Sequence, residues 1–326
     1  GDDAVAGEEG DACVAAGWAE AEAVFEREGV VVLPDLLAPA EVACLLDAVA
    51  ARVDVTGACL AEGDRELTAL TRAPRGRTHG ALPLEGPAAA TLARVTRRLW
   101  PLLAAVLRAD EARTSDQPGS DTGGGVVSGD RAHAVLLGSG FMTVGQGSGA
   151  QELHNDVHGV DRHSLSPATD SSPCDSDASP PPGGPRVVSL QLQLTDTRAN
   201  KRQTGRGGDK AAEDEDEDED EDDSGCVGGS LELLPGSHRP DAHHRSPAAI
   251  ERAGADDSGV VAIEVGAGTA TLYSSRLWHS GGANVKAREE RRFVFLTLGE
   301  RGAPAPPGLI HTMARRDVGA WVADRG

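Results

Sequence analysis

The chain has 326 residues and a formal net charge of −21; 39% of the residues are hydrophobic and only 3% aromatic. That length supports a sizeable core, built here from Leu, Val and Ala rather than from aromatic rings. Eleven of the negative charges form one run, Glu213 to Asp223, and −21 less those eleven leaves −10, an ordinary solubility charge. Such an acidic balance excludes a nucleic-acid surface and one suited to anionic lipid.

No apolar stretch approaches the roughly 20 residues of a membrane helix, so no membrane span is expected. The five cysteines are odd in number and contain no CxxC, which argues against a zinc ribbon or a disulfide framework. A reducing, intracellular and cytoplasmic setting fits that usage. The first residue is Gly1 rather than Met, which leaves organellar import open.

In chain order, residues 1–13 are acidic and small and read as a loose N-terminus. Residues 14–28 predict a helix with Val14, Trp18 and Phe25 near one face, stopped by Gly29. Val30 to Leu33 read as a short buried strand ended by Pro34. A clear amphipathic helix follows at about 39–53, with Pro39 in its first turn and Val42, Leu45, Leu46, Val49 and Val53 at helical spacing. A second helical tract covers about 87–108, and Pro101 is expected to kink or split it.

From about 132 the pattern changes to short apolar or alternating runs at 134–138, 141–144, 151–157, 186–194, 230–234, 259–265, 269–273 and 292–298. Such runs, separated by turn residues, predict a sandwich or closed barrel. The fold class expected is mainly β with flanking helices, in which an N-terminal helical layer packs on one β-structure. Residues 14–326 then form a single domain. Two low-complexity stretches, about 159–185 and about 198–227, interrupt it. Neither can bury enough apolar surface to offset its ordering entropy, so both are expected to be disordered insertions. The acidic run inside the second reads as a solvated spacer or a contact for basic partners.

The chemistry concentrates in a few places. In Gln151-Glu152-Leu153-His154-Asn155-Asp156, a strand would turn His154 and Asp156 to one face. An imidazole and a carboxylate there can supply two adjacent ligands to a divalent metal. A second imidazole completes the two-histidine, one-carboxylate set of Fe(II) oxygenases, which leaves open positions. With ten histidines in the chain, one His-x-Asp is a common coincidence. The distal candidate is His279, before Ser280-Gly281-Gly282-Ala283-Asn284. Twelve residues on, Arg291 and Arg292 open the apolar run Phe293 to Leu298. An arginine beside the metal can hold the far carboxylate of a dicarboxylic acid as a fork. Alternation allows only one of the two to point inward, and spacing does not choose between them. Arg72, Arg75 and Arg77 form a loose basic patch, read as a solvated loop.

Taken in order, these pieces resemble the phytanoyl-CoA dioxygenase family, from about Phe25 to Leu298. Gly29 to Leu37 with Glu41 is similar to its N-terminal strand and helix opening. Gln151 to Asp156 resembles its Gln-x-x-His-x-Asp segment, Gly229 to His238 its Pro-Gly-Ser-His turn, and Gly268 to Asn284 its distal-ligand segment. The resemblance implies a double-stranded β-helix (jelly roll) enclosing Fe(II) and 2-oxoglutarate. It makes His154, Asp156 and His279 the catalytic iron ligands. It favours Arg291 over Arg292 for the co-substrate and gives Gln151 a supporting or co-substrate contact. It also implies O2 as oxidant, ascorbate as reductant and a small-molecule substrate hydroxylated with release of succinate and CO2. Related halogenases carry a small residue in place of Asp156, so its carboxylate points to hydroxylation. Ser274 and Ser275 depart from the family pattern, standing where relatives often carry an acidic residue. Competing readings are a cupin-like metal-binding jelly roll without 2-oxoglutarate chemistry, a peptide hydroxylase, and an interaction module working through its acidic loop.

Overall fold

The computed structural model describes residues 5–62, 76–82, 84–107, 134–156, 186–198, 229–239, 259–284 and 290–300. Both low-complexity insertions, the acidic run, Arg72 and Arg75 lie outside the described residues.

Among the described residues, four helices form one layer: α1 (Val5–Glu28), α2 (Pro39–Glu62), α3 (Gly86–Arg98) and α4 (Trp100–Val106). Helix α1 starts well inside the segment read as loose, because Ala and Glu favour helix strongly enough to carry it upstream. The tract around Pro101 is split, with a turn at Leu99. Pro101 lies in the first turn of α4, where its missing N–H costs nothing. Glu41 accepts from the Ala38 N–H at 3.0 Å and pairs with Arg98 at 3.1 Å. It thus caps α2 and ties it to α3.

Among the described residues, nine strands build two antiparallel sheets. The large sheet runs β1 (Val30–Leu33), β7 (Ala270–Ser274), β4 (Val187–Gln193), β9 (Arg291–Glu300), β3 (Ala134–Val144) and β2 (Arg77–Ala81). The small sheet runs β6 (Val261–Ile263), β5 (Leu231–Leu233) and β8 (His279–Gly281). The two expected runs at 134–138 and 141–144 are one strand, bulged between Leu136 and Gly138. The architecture is the mainly antiparallel two-sheet arrangement expected of a jelly roll, with a helical layer on one side. The sheets are not closed into a barrel.

Strand alternation divides the large sheet. Its outer face carries Val188, Leu190, Leu192, Ala270, Leu272, Val294, Leu296 and Leu298, packed into one cluster with Leu45, Leu92, Leu102 and Leu103 of the helices. The inner face meets the small sheet through Val30 and Tyr273 against Leu231, Leu233 and Leu277. Away from that contact it carries Ser189, Gln191, Gln193 and Thr271, all buried. The polar residues of β4 recur every second position between leucines, so one seven-residue strand serves both faces.

Two elements were not legible beforehand. Strand β2 has no hydrophobic alternation and is held at the sheet edge by its pairing with β3. Strand β8 has three residues and lies in what reads as a turn. Conversely, the run at 151–157 forms no regular strand: His154 makes a single antiparallel bridge to His279.

Candidate metal centre and anion site

The bridge between His154 and His279 is what brings the ligands together. His154 N–H donates to His279 O at 2.9 Å, and His279 N–H donates back to His154 O at 2.7 Å. Two residues later the Asp156 N–H donates to Ser275 O at 3.0 Å, turning the carboxylate toward the same point. His154, Asp156 and His279 each present one ligand atom, all within 4.8 Å of one another. Among the described residues this is the one such group of three or more His, Cys, Asp or Glu. The Asp156 Oδ1 lies 3.6 Å from His279 Nε2, and the two imidazole centroids are 4.5 Å apart.

Both rings are oriented in the same way. His154 Nδ1 is 2.8 Å from Glu152 O, and His279 Nδ1 is 2.9 Å from Leu277 O. A carbonyl only accepts, so each Nδ1 carries a proton, and in the neutral form of such a ring the lone pair is on Nε2. Burial pushes His279 below the usual histidine range. The Asp156 charge opposes that shift and His154 adds to it. A neutral imidazole is what a metal requires, so this donor set fits a divalent ion of the iron type.

The segment carrying His154 is pinned to β8 by more than the bridge. Gln151 N–H donates to Gly281 O at 2.9 Å, and its side-chain oxygen accepts from the Gly281 N–H at 3.0 Å. Arg77 donates through Nη2 to Gly149 O, Gly281 O and Gly282 O at 2.6, 3.0 and 2.9 Å. Position 281 must be glycine for this to fit. A Cβ there would lie 2.5 Å from Gln151 Oε1 and 2.7 Å from Arg77 Nη1. Arg77 is therefore not part of a solvated patch: it is buried on β2.

Arg291 and Arg292 separate as alternation requires. Arg292 points outward, pairs with Glu290 at 2.7 Å and is about one-third exposed. Arg291 is buried on the inner face, where it donates to Gly229 O and lies over the Phe293 ring at 4.6 Å. Its Nε has no hydrogen-bond partner, and among the described residues no carboxylate pairs with it. Burial and the neighbouring Arg77 charge push its guanidinium down to about 9, with Tyr273 opposing. It remains a cation at neutral pH. Register explains the neighbourhood: Arg77 pairs with Val144 and Val144 with Arg291, so the two arginines stand one strand apart on one face.

Tyr273, Ser189 and Ser275 complete the surroundings; sequence reading missed the first two and noted Ser275 only as a departure from the family pattern. The Tyr273 ring centroid is 5.0 Å from that of His279. Burial holds its phenol far above the usual range, with the Asp156 charge adding to the effect. Ser189 donates to Asp156 Oδ2 at 3.1 Å. The signal for it was present, since Val-Ser-Leu-Gln-Leu-Gln alternates polar and apolar residues in a strand that is buried throughout.

Residues 222–293 match the family model of phytanoyl-CoA dioxygenase (PhyH). The matched segment runs from just ahead of β5 into β9 and so includes His279 and Arg291. That segment holds the later part of the resemblance read from the sequence, from Gly229 to Asn284. No curated protein sequence matches the chain. Among solved structures the chain is similar to EctD from S. alaskensis with 2-oxoglutarate and 5-hydroxyectoine. The TM-score is 0.52 at 16% identity, with 93% of this chain and 85% of that one covered. It is also similar to AviO1 from Streptomyces viridochromogenes Tue57, with a TM-score of 0.50 at 19% identity over 89% of this chain and 97% of that one. At these identities the likeness is one of fold.

Proposed function

We propose that the chain is an Fe(II)- and 2-oxoglutarate-dependent dioxygenase that hydroxylates an unactivated C–H bond of a small molecule, releasing succinate and CO2. The observation carrying this reading is Arg291. A buried guanidinium without a carboxylate is costly, and this one lies on the inner face that also bears Tyr273, the ring neighbour of His279. A dicarboxylic acid reaching from the metal centre to Arg291 would supply the missing anion.

In this reading His154, Asp156 and His279 hold the iron. The metal with its co-substrate supplies the oxidising chemistry when bound. The chain's own residues do the rest. Carbonyls of Glu152 and Leu277 fix the imidazoles with Nε2 inward. Arg291 binds the distal carboxylate of 2-oxoglutarate in a desolvated setting, where a charge-assisted fork is stronger than in water. Arg77 and Gln151 hold the two ligand-bearing segments in register, and Gln151 thus supports the site through the β8 backbone. Asp156 fills the position that would have to be vacated for a halide, which favours hydroxylation. O2 is the oxidant and ascorbate the reductant that maintains Fe(II).

The test is direct. Fe(II) and 2-oxoglutarate added anaerobically should give a weak visible charge-transfer band, and aerobic turnover against a metabolite library should release succinate. Metal binding with no response to 2-oxoglutarate would instead favour a cupin-like metal protein, and a chlorinated product would overturn the assignment to hydroxylation.

A further inference from the structure

The Asp156 carboxylate is held asymmetrically. One oxygen, Oδ1, faces His279 Nε2 at 3.6 Å. The other, Oδ2, accepts a hydrogen bond from Ser189 at 3.1 Å. A carboxylate only accepts, so the single Ser189 proton is committed to it. Its lone pairs then remain open to the hydroxyl of Ser275, 3.3 Å away. The Ser275 hydroxyl can donate to Ser189, so one serine partners both Asp156 and Ser275. Ser275 binds Asp156 a second time, through its backbone carbonyl to the Asp156 N–H. Ser189 is 2% exposed and Ser275 fully buried, whereas the Asp156 side chain is 19% exposed.

We infer that Ser189 is a positioning residue that keeps Asp156 a one-oxygen ligand. A carboxylate can bind a metal through one oxygen or two. Two-oxygen binding by Asp156 would take one of the positions that a two-histidine, one-carboxylate site keeps open for co-substrate and oxidant. With Oδ2 turned toward Ser189 and accepting its hydrogen bond, Oδ1 is the oxygen left facing the His279 imidazole. Supporting interactions of this kind are typically worth about 10- to 100-fold in affinity or activity. The inference rests on the metal-site reading above, but its test does not depend on turnover.

The full chain is freed of metal and titrated with Co(II), and 2-oxoglutarate is then added to the Co(II) protein. In Ser189→Ala the second oxygen is released. The expected result is Co(II) affinity equal to or tighter than wild type, a weaker visible Co(II) absorption as the coordination number rises, and 2-oxoglutarate affinity lowered about 10-fold. Ser189→Thr, which keeps the hydroxyl, should restore the wild-type spectrum. If Ser189→Ala fails to fold, Ser275→Ala removes the hydroxyl that braces Ser189 and should move the same readouts in the same direction by about 3-fold. Co(II) affinity falling in step with 2-oxoglutarate affinity would overturn the inference, since a mere structural prop behaves so. An unchanged Co(II) spectrum would overturn it as well. A wild-type Co(II) protein that ignores 2-oxoglutarate would sink the dioxygenase reading, while the Co(II) spectra of the variants would still judge Ser189.

Discussion

Along β9, Val294, Leu296 and Leu298 turn toward the helices, while Arg291, Phe293, Phe295 and Thr297 turn toward the small sheet. Strand β4 repeats the division with Val188, Leu190 and Leu192 on one side and Ser189, Gln191 and Gln193 on the other. Both faces are buried, so burial alone does not distinguish them. The outer face is dry and close-packed and gains from every methylene. The inner face buries hydroxyls, amides and two guanidiniums, each of which stabilises nothing unless partnered. The outer face therefore supports the fold, and the inner face spends some of that stability on a prearranged site.

Mutations should separate the two. Leu296→Ala on the outer face should cost about 2–5 kcal/mol in chemical denaturation and leave Co(II) affinity per folded molecule unchanged. A parallel loss of metal affinity would mean the faces are not independent. His279→Ala should do the opposite. Removing a ligand should exceed the roughly 100-fold loss typical of a supporting partner, with little change in the unfolding midpoint of the metal-free protein. Isothermal titration with Co(II) reads the first effect and a melting curve the second.

The arginine pair gives a sharper contrast within one strand. Arg291→Gln should raise the Kd for 2-oxoglutarate about 10- to 100-fold, the worth of a hydrogen bond to a charged group. It should not destabilise the metal-free protein, because the charge removed is buried and has no carboxylate partner among the described residues. Next is pH. Burial holds His279 neutral in the folded chain, whereas an unfolded histidine takes up a proton below about 6.5. Stability of the metal-free protein is thus fully present above that value and lost as the pH falls. The loss approaches about 1.4 kcal/mol per pH unit for each such proton. His238, also pushed down chiefly by burial, adds to the slope. His279→Gln should flatten it, and an unchanged slope would show that His279 is not buried neutral. Least of all, Arg292→Gln should alter stability by under about 0.5 kcal/mol, since its pair with Glu290 is partly exposed. A large loss of 2-oxoglutarate binding in that variant would reverse the assignment of the two faces.

Much of this architecture was legible in the chain because it depends on local periodicity. The amphipathic spacing of Val42, Leu45 and Val49 announces α2, and the polar–apolar alternation from Val187 to Gln193 announces a two-faced strand. Pro101 marks the break between α3 and α4. The ligand set was legible only as residue types in order. His154 and Asp156 share no regular strand, and it is the pairing of His154 with His279 across 125 residues of chain that brings the candidate ligands together. Spacing showed that Arg291 and Arg292 oppose each other, but only the packing of β9 decided which is buried. Arg77 could not be read as a buried clamp, because its three carbonyl partners come from Gly149, Gly281 and Gly282. Ser189 became significant only when Asp156 arrived beside it. Sequence determines which face of an element is apolar, since that follows from a period of 3.6 or 2. Which polar groups meet across the buried inner face depends on sheet order and register, and those are set only when distant strands pair.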